Sequence, residues 1–163
     1  MQKRWVVKPK NDVKKTNKLR DELGVSPIIA ELLLNRGIES FDAAKYFFRP
    51  MLDSLHDPFL MKDMDQAISR IERAIGNKEK ILIYGDYDVD GTTAVSVVYS
   101  FFRDFHSGLE FYIPDRYLEG YGISNAGIDY AAAHGFTLII ALDCGIKAID
   151  KVNYAQAKGI DFI

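Results

Sequence analysis

The apolar run Lys80-Ile81-Leu82-Ile83 leads directly into Tyr84-Gly-Asp-Tyr-Asp-Val-Asp-Gly-Thr-Thr93, so three alternating carboxylates, Asp86, Asp88 and Asp90, follow it. The run reads as a buried strand, and the residues after the acids open a helix. Carboxylates packed this closely repel one another, and burying them without partners is very costly. A positive species among them is the economical resolution, and hard divalent cations take oxygen ligands.

Two other motifs share part of the pattern. An EF-hand loop also begins Asp-x-Asp-x-Asp-Gly, but it needs a bidentate Glu at its last position, where counting from Asp86 gives Val97. The segment before the loop is strand-like rather than helical, which also excludes an EF-hand. Asp88-Val89-Asp90-Gly91-Thr92 matches the haloacid-dehalogenase-like phosphatase signature, with Asp88 as nucleophile and Asp90 as general acid. Gly85-Asp86-Tyr87 intervene between strand and signature, and that family has no need of Asp86. It stays as the alternative enzymatic reading. A plain acidic turn capping a helix seldom needs three alternating acids.

With 163 residues, 48% of them hydrophobic, the chain can bury a real core. A net charge of -2 argues against electrostatic nucleic-acid binding by the whole surface. The amino-terminal stretch is different: Lys3, Arg4, Lys8, Lys10, Lys14, Lys15, Lys18 and Arg20 face only Asp12, as a solvated face or a phosphate contact. The lone cysteine, Cys144, excludes an intrachain disulfide and suits a reducing cytoplasm; it reads as a small core residue rather than a nucleophile. The sequence has no signal-peptide pattern and no segment of membrane-spanning length, so a soluble cytoplasmic protein without a membrane partner is expected.

The pattern changes character near residue 78, giving a helical amino-terminal region over 1–78 and an α/β region over 79–163. In the first, Ser26-Pro27 opens a helix with Ile29, Leu32 and Leu33 as its apolar stripe, stopped at Gly37. Ser40 caps a second helix, Phe41 to Phe48, and Asp63 a third, carrying Met64, Ala67, Ile68, Ile71 and Ile75. In the second, strands at Lys80–Tyr84, Leu109–Ile113, Thr137–Leu142 and Ile160–Ile163 alternate with helices at Thr92–Phe105, Asn125–His134 and Lys147–Lys158. The fold class is therefore α/β, a parallel sheet with flanking helices. The last strand breaks off at what should be a central position, so the chain is expected to be part of a longer protein.

Parallel sheets place ligand sites outside the carboxyl ends of their strands. The first strand delivers Asp86, Asp88 and Asp90, and the third delivers Asp143 in Ala141-Leu142-Asp143-Cys144-Gly145. If these strands are neighbours, four carboxylates can share two cations at the spacing of about 3.5–4 Å used in two-metal phosphoryl chemistry. Gly85 and Gly91 suit close backbone approach to a metal or phosphate, and Thr92 or Thr93 would cap the next helix. The loop Pro114-Asp115-Arg116-Tyr117-Leu118-Glu119-Gly120-Tyr121-Gly122-Ile123-Ser124 follows the second strand. It offers a guanidinium for phosphate and aromatics for base stacking, unless Arg116 and Glu119 simply pair. His106 and His134 read as surface residues at helix ends, and His56 lacks metal-ligand spacing.

Three elements together, the Tyr84–Thr93 string, Arg116-x-x-Glu-Gly-Tyr-Gly122 and Asp143-Cys-Gly145, resemble the first motifs of the DHH phosphoesterase superfamily. More narrowly they resemble its bacterial single-stranded-DNA exonuclease branch. The helical lead-in, with Leu33-Leu-Asn-Arg-Gly37 and Asp57-Pro-Phe-Leu-Met-Lys-Asp-Met64, is similar too. The resemblance implies metal ligation by Asp88, Asp90 and Asp143, with Asp143 bridging two ions and Asp86 in the same catalytic acidic motif. From its residue types and its placement beside the acids, the loop is expected to bind substrate through Arg116, Glu119, Gly120, Tyr121 and Gly122. The implied activity is hydrolysis of single-stranded DNA from its 5′ end by a metal-activated water, in repair and recombination, with Mn2+ or Mg2+. Single-stranded-DNA-binding protein and a helicase are the implied partners. Members acting on small phosphates often carry His where this chain has Tyr84, which favours the nuclease branch. The Asp-His-His motif that names the superfamily is expected just past Ile163, with a substrate-binding domain beyond it, so these residues alone should be nearly inactive. A non-catalytic scaffold binding replication or repair partners is the alternative of a different class; loss of motif acids would mark it, and all are present.

Overall fold

The computed structural model describes residues 4–163, so Lys3 of the basic run lies outside the described residues. The chain forms two compact units that divide between Asp57 and Pro58 rather than near residue 78. The first is helical. Asp12 starts α1 (Val13–Leu23) by accepting from the Lys14 amide, Ser26 caps α2 (Pro27–Leu34), and Ser40 caps α3 (Phe41–Phe48). Its core is Leu19, Ala30, Leu33, Leu34, Ile38 and Ala44. The stripe of α2 differs from the expected one: Ala30, Leu33 and Leu34 are buried, whereas Ile29 and Leu32 are exposed. Within the basic run, Lys15 pairs with Glu39, Lys18 with Glu22 and Arg20 with Asp21, all largely in solvent.

The second unit has three layers. Its parallel sheet has the order β2-β1-β3-β4, with β1 at Lys80–Gly85, β2 at Leu109–Tyr112, β3 at Phe136–Leu142 and β4 at Asp161–Phe162. Among the described residues β4 lies at the sheet edge, and β1 and β3 are the central strands. Alternation along β1 sends Ile81 and Ile83 to one face and Leu82 and Tyr84 to the other, and all four are fully buried. The first face is covered by α4 (Met64–Gly76) and α5 (Val89–Phe102), through Ala74, Val95 and Phe102. The second is covered by α6 (Asn125–Ala133) and α7 (Ile149–Gln156), through Ile128, Ala131 and Ala155. Because α4 lays its apolar face on this sheet, it belongs with the α/β unit, and the boundary moves accordingly.

Two cap assignments change. Asp63 occupies the residue before α4 in a left-handed conformation, φ 62°, and makes no cap bond. Asp88, not Thr92 or Thr93, caps α5, accepting from the amides of Asp90 and Gly91 at 3.1 and 3.0 Å. Thr92 lies inside the first turn, its hydroxyl donating to the Asp88 carbonyl.

An ion-pair network ties α4 to the sheet. Arg70 reaches Glu79 at 2.8 Å and Asp161 at 2.5 Å, and donates to the Thr137 carbonyl. The Thr137 hydroxyl donates to Glu79 at 2.6 Å. His106, expected at the surface, is buried instead, with Nε2 2.8 Å from the Glu79 carbonyl. Glu79 is held down from 4.5 to about 2, chiefly by the Thr137 hydrogen bond, then by Asn77 and Arg70 against the opposing effect of burial. A carboxyl that titrates lower when folded stabilises the fold fully above about pH 4.5 and loses that contribution as the pH falls towards 2. Glu79→Gln should therefore cost about 1–3 kcal/mol at neutral pH. It should also flatten the loss of stability across that acid window, as read by urea denaturation at a series of pH values.

Candidate functional site

The carboxyl ends of β1, β2 and β3 meet at one edge. The Gly85–Leu142 register sends Asp86 and Asp143 off the sheet side by side, as expected for neighbouring strands. Asp86 is fully buried. One of its oxygens, Oδ1, accepts from the Gly122 amide at 2.9 Å, while Oδ2 is buried and without a hydrogen-bond partner among the described residues. Asp88 is half-buried and commits Oδ1 to the start of α5. Asp90 stands exposed in the first helical turn. Asp143 is exposed and left-handed, φ 52°, a conformation that costs a non-glycine residue about 1–3 kcal/mol and is concentrated at functional sites.

The charges converge. The Tyr121 hydroxyl is held above its ordinary value by Asp86 first, then Asp88, with Asp143 also contributing. The Cys144 thiol is pushed up to about 11 by burial, with Asp86 and Asp143 adding to the effect. A thiol held protonated is a poor nucleophile, which agrees with its reading as a core residue. Cys144 packs against the second-face core and donates to the Leu142 carbonyl.

The glycines of the acidic string serve packing inside the protein. A Cβ on Gly91 would run into the backbone of Asp86, and one on Gly85 into Val95 and the Gly91 carbonyl. The close approach is thus between α5 and the end of β1, rather than the approach to a ligand that the sequence suggested.

The 114–124 loop folds over this edge. Glu119 does not pair with Arg116; its Oε1 accepts from the Asp115 amide, and its Oε2 from the Tyr112 and Ser124 hydroxyls. Burial and the Glu119 carboxylate push the Tyr112 hydroxyl up to about 12, so it acts as a donor. Arg116 forms no ion pair among the described residues and lies over the Tyr87 ring, 5.4 Å from its centroid. Tyr121 meets the same ring edge-on at 5.9 Å. The loop's inner side is bonded to β1: the Tyr84 hydroxyl donates to the Gly122 carbonyl and accepts from the Ser124 amide, both at 3.0 Å. Tyr87, Tyr112, Tyr84 and Ser124 were not singled out from the sequence as site residues. The alternation of β1 and β2 placed both strand tyrosines, but not what their hydroxyls would hold.

Whether a hard divalent cation fits can be judged from the donors. All are oxygens, and the negative charges of Asp86, Asp88 and Asp143 act together on the Tyr121 hydroxyl. These features suit Mn2+ or Mg2+ in kind and in charge. Among the described residues, however, no three His, Cys, Asp or Glu side chains are grouped to hold a metal ion. Nor is any helix there long and apolar enough to cross a membrane.

Residues 80–163 match the DHH family, N-terminal domain, and this chain belongs to that family. Among its curated relatives is the single-stranded-DNA-specific exonuclease RecJ of Bacillus subtilis (strain 168), 39% identical over 98% of this chain and 20% of that protein. RecJ of Escherichia coli (strain K12) is 28% identical over 94% of this chain and 26% of its own length. Among solved structures, RecJ in complex with Mn2+ from Thermus thermophilus superposes with a TM-score of 0.66 at 21% identity, covering 98% of this chain and 22% of that one. The chain thus spans about a fifth to a quarter of these relatives' length. Family membership sets aside the dehalogenase-like reading of Asp88–Thr92.

The contact of Gly91 with Asp86 yields a direct test. Gly91→Ala should destabilise the unit by about 1–3 kcal/mol through overpacking. Chemical denaturation measures it, and an unchanged midpoint would mean that α5 can shift freely against β1.

Proposed function

We propose that this chain furnishes the acid-bearing part of a metal-dependent exonuclease that hydrolyses single-stranded DNA from its 5′ end, in repair and recombination. The observation that carries the reading is the meeting of two strand-end acid groups with an unpaired arginine on an aromatic support. Asp88, Asp90 and Asp143 would hold Mn2+ or Mg2+, with Asp143 shared between two ions. When bound, such ions stabilise charge on the phosphoryl group and activate water for attack. Arg116 binds a phosphate of the strand, and Tyr121 offers a ring to a base. Glu119, Gly120 and Gly122 give the loop the shape that presents them.

Similarity to RecJ supports the substrate class, and manganese in the solved RecJ structure supports the metal. In this reading single-stranded-DNA-binding protein and a helicase deliver substrate, and the setting is the cytoplasm. The donors lack a closed set, so residues 1–163 hold the cation loosely and turn over little DNA on their own.

Asp143→Ala should abolish the manganese-dependent gain in thermal stability, which for the unsubstituted chain should reach about 2.7 kcal/mol at a hundredfold excess over the dissociation constant. An undiminished gain in the variant would remove Asp143 from the site. Arg116→Ala should weaken binding of a 5′-phosphorylated single-stranded oligonucleotide by about tenfold while leaving manganese affinity nearly unchanged, because a guanidinium serves phosphate and not a cation. Fluorescence anisotropy reads the first and calorimetry the second. Robust manganese-dependent degradation of single-stranded DNA by this chain alone would overturn the open-site reading.

A further inference from the structure

We propose that Asp86 is a positioning residue: its buried carboxylate holds the Gly122 amide, and so seats the 114–124 loop that carries Arg116 on the Tyr87 ring, instead of ligating a cation itself. The inference rests on the reading above in one respect, that the 114–124 loop binds substrate.

Four observations carry it. Asp86 is fully buried, whereas Asp90 and Asp143 are exposed and Asp88 is half-buried. A cation that meets a strand of DNA is reached from the outer three. Second, Oδ1 is already committed, 2.9 Å from the Gly122 amide. Third, Gly122 is held from both sides. Its carbonyl accepts from Tyr84, two residues before Asp86 on the same strand, and Tyr84 also takes the Ser124 amide. With φ at 81°, Gly122 adopts a backbone conformation that side-chain-bearing residues avoid, so both bonds fix a turn that only glycine makes easily. Fourth, the Asp86 backbone is packed so closely on Gly91 that a Cβ there would collide with it. The backbone that carries this carboxylate is therefore seated firmly against α5.

Asp86 also acts through its charge. It is the largest influence on the Tyr121 hydroxyl, ahead of Asp88. A carboxylate thus does two things at this position: it accepts the Gly122 amide, and it adds negative potential behind the outer acids. Asparagine can do only the first. Asp86→Asn and Asp86→Ala consequently separate a positioning role from ligation.

The experiment uses the 163-residue chain, isotope-labelled, with hydrogen exchange of the Gly122 amide, calorimetric Mn2+ affinity and anisotropy of a 5′-phosphorylated oligonucleotide. Asp86→Ala should speed Gly122 exchange by about tenfold or more, as loss of a hydrogen bond to a charged acceptor predicts. Oligonucleotide affinity should fall with it. Asp86→Asn should restore Gly122 protection and most oligonucleotide affinity. Both variants should lose less Mn2+ affinity than Asp143→Ala. Unchanged Gly122 exchange in Asp86→Ala would overturn the proposal. So would Asp86→Asn losing as much Mn2+ affinity as Asp143→Ala while Gly122 stays protected, since that is the signature of a ligand. Should Asp86→Ala fail to fold, the Asn variant decides alone. A chain that binds no oligonucleotide at all defeats the substrate reading, and the Gly122 and Mn2+ measurements still decide the role of Asp86.

Discussion

Every part of the candidate site depends on the parallel pairing of β1 with two neighbours at once. Bonded to β2 on one edge and β3 on the other, β1 has both faces filled, so the residues past Gly85 have only the carboxyl end through which to leave. The pairing with β3 fixes Asp143 beside Asp86, and the pairing with β2 delivers the 114–124 loop to the same edge. None of these pieces is near another in sequence. The sheet register alone makes them neighbours, which is the general reason such folds bind ligands at the carboxyl ends of their strands.

A second layer of hydrogen bonds turns this proximity into a defined surface. Tyr84 and Asp86 grip the loop from beneath, and Glu119 closes it from within through Tyr112, Ser124 and the Asp115 amide. The loop thereby spends its own carboxylate internally and leaves its guanidinium outward. That division keeps Arg116 from being neutralised by the acid three residues away.

Much of the α/β unit was legible in the sequence because apolar runs and strand-end acids are local signals. Ile81 to Tyr84 and Leu138 to Ile140 read as buried strands, and the junction acids Asp86 and Asp143 stood out against them. What escaped depended partly on partners distant in the chain and partly on local hydrogen bonds that residue types alone do not display. Helix α1 is hard to read because it buries only Leu19 fully and its apolar residues, Val13, Leu19 and Leu23, are sparse among charged ones. The stripe of α2 was misplaced because Ala30, a small residue, is what lets the helices close up, and apolar bulk alone pointed to Ile29 and Leu32. The unit boundary was set too late because the amphipathic face of α4 does not announce that a sheet receives it. The threonines suggested a later start for α5, but Asp88 stands at the residue before the helix, where an aspartate caps at least as well as a threonine. Glu119 read as a substrate contact because sequence cannot show that its oxygens are already occupied.

The capping by Asp88 has a consequence for how the site behaves over time. One carboxylate both begins a helix and stands among the candidate ligands, with Oδ1 given to the amides of Asp90 and Gly91. A side-chain cap contributes about 0.5–2 kcal/mol to its helix. Thermodynamic reciprocity then requires that whatever the ion gains from a formed first turn of α5, that turn gains from the ion. In the proposed metal reading, fraying at Val89–Thr92 weakens the hold on the cation, and the cation resists the fraying. In that reading, affinity for the ion is thereby tied to the stability of a helix whose far end, at Phe102, is buried in the core.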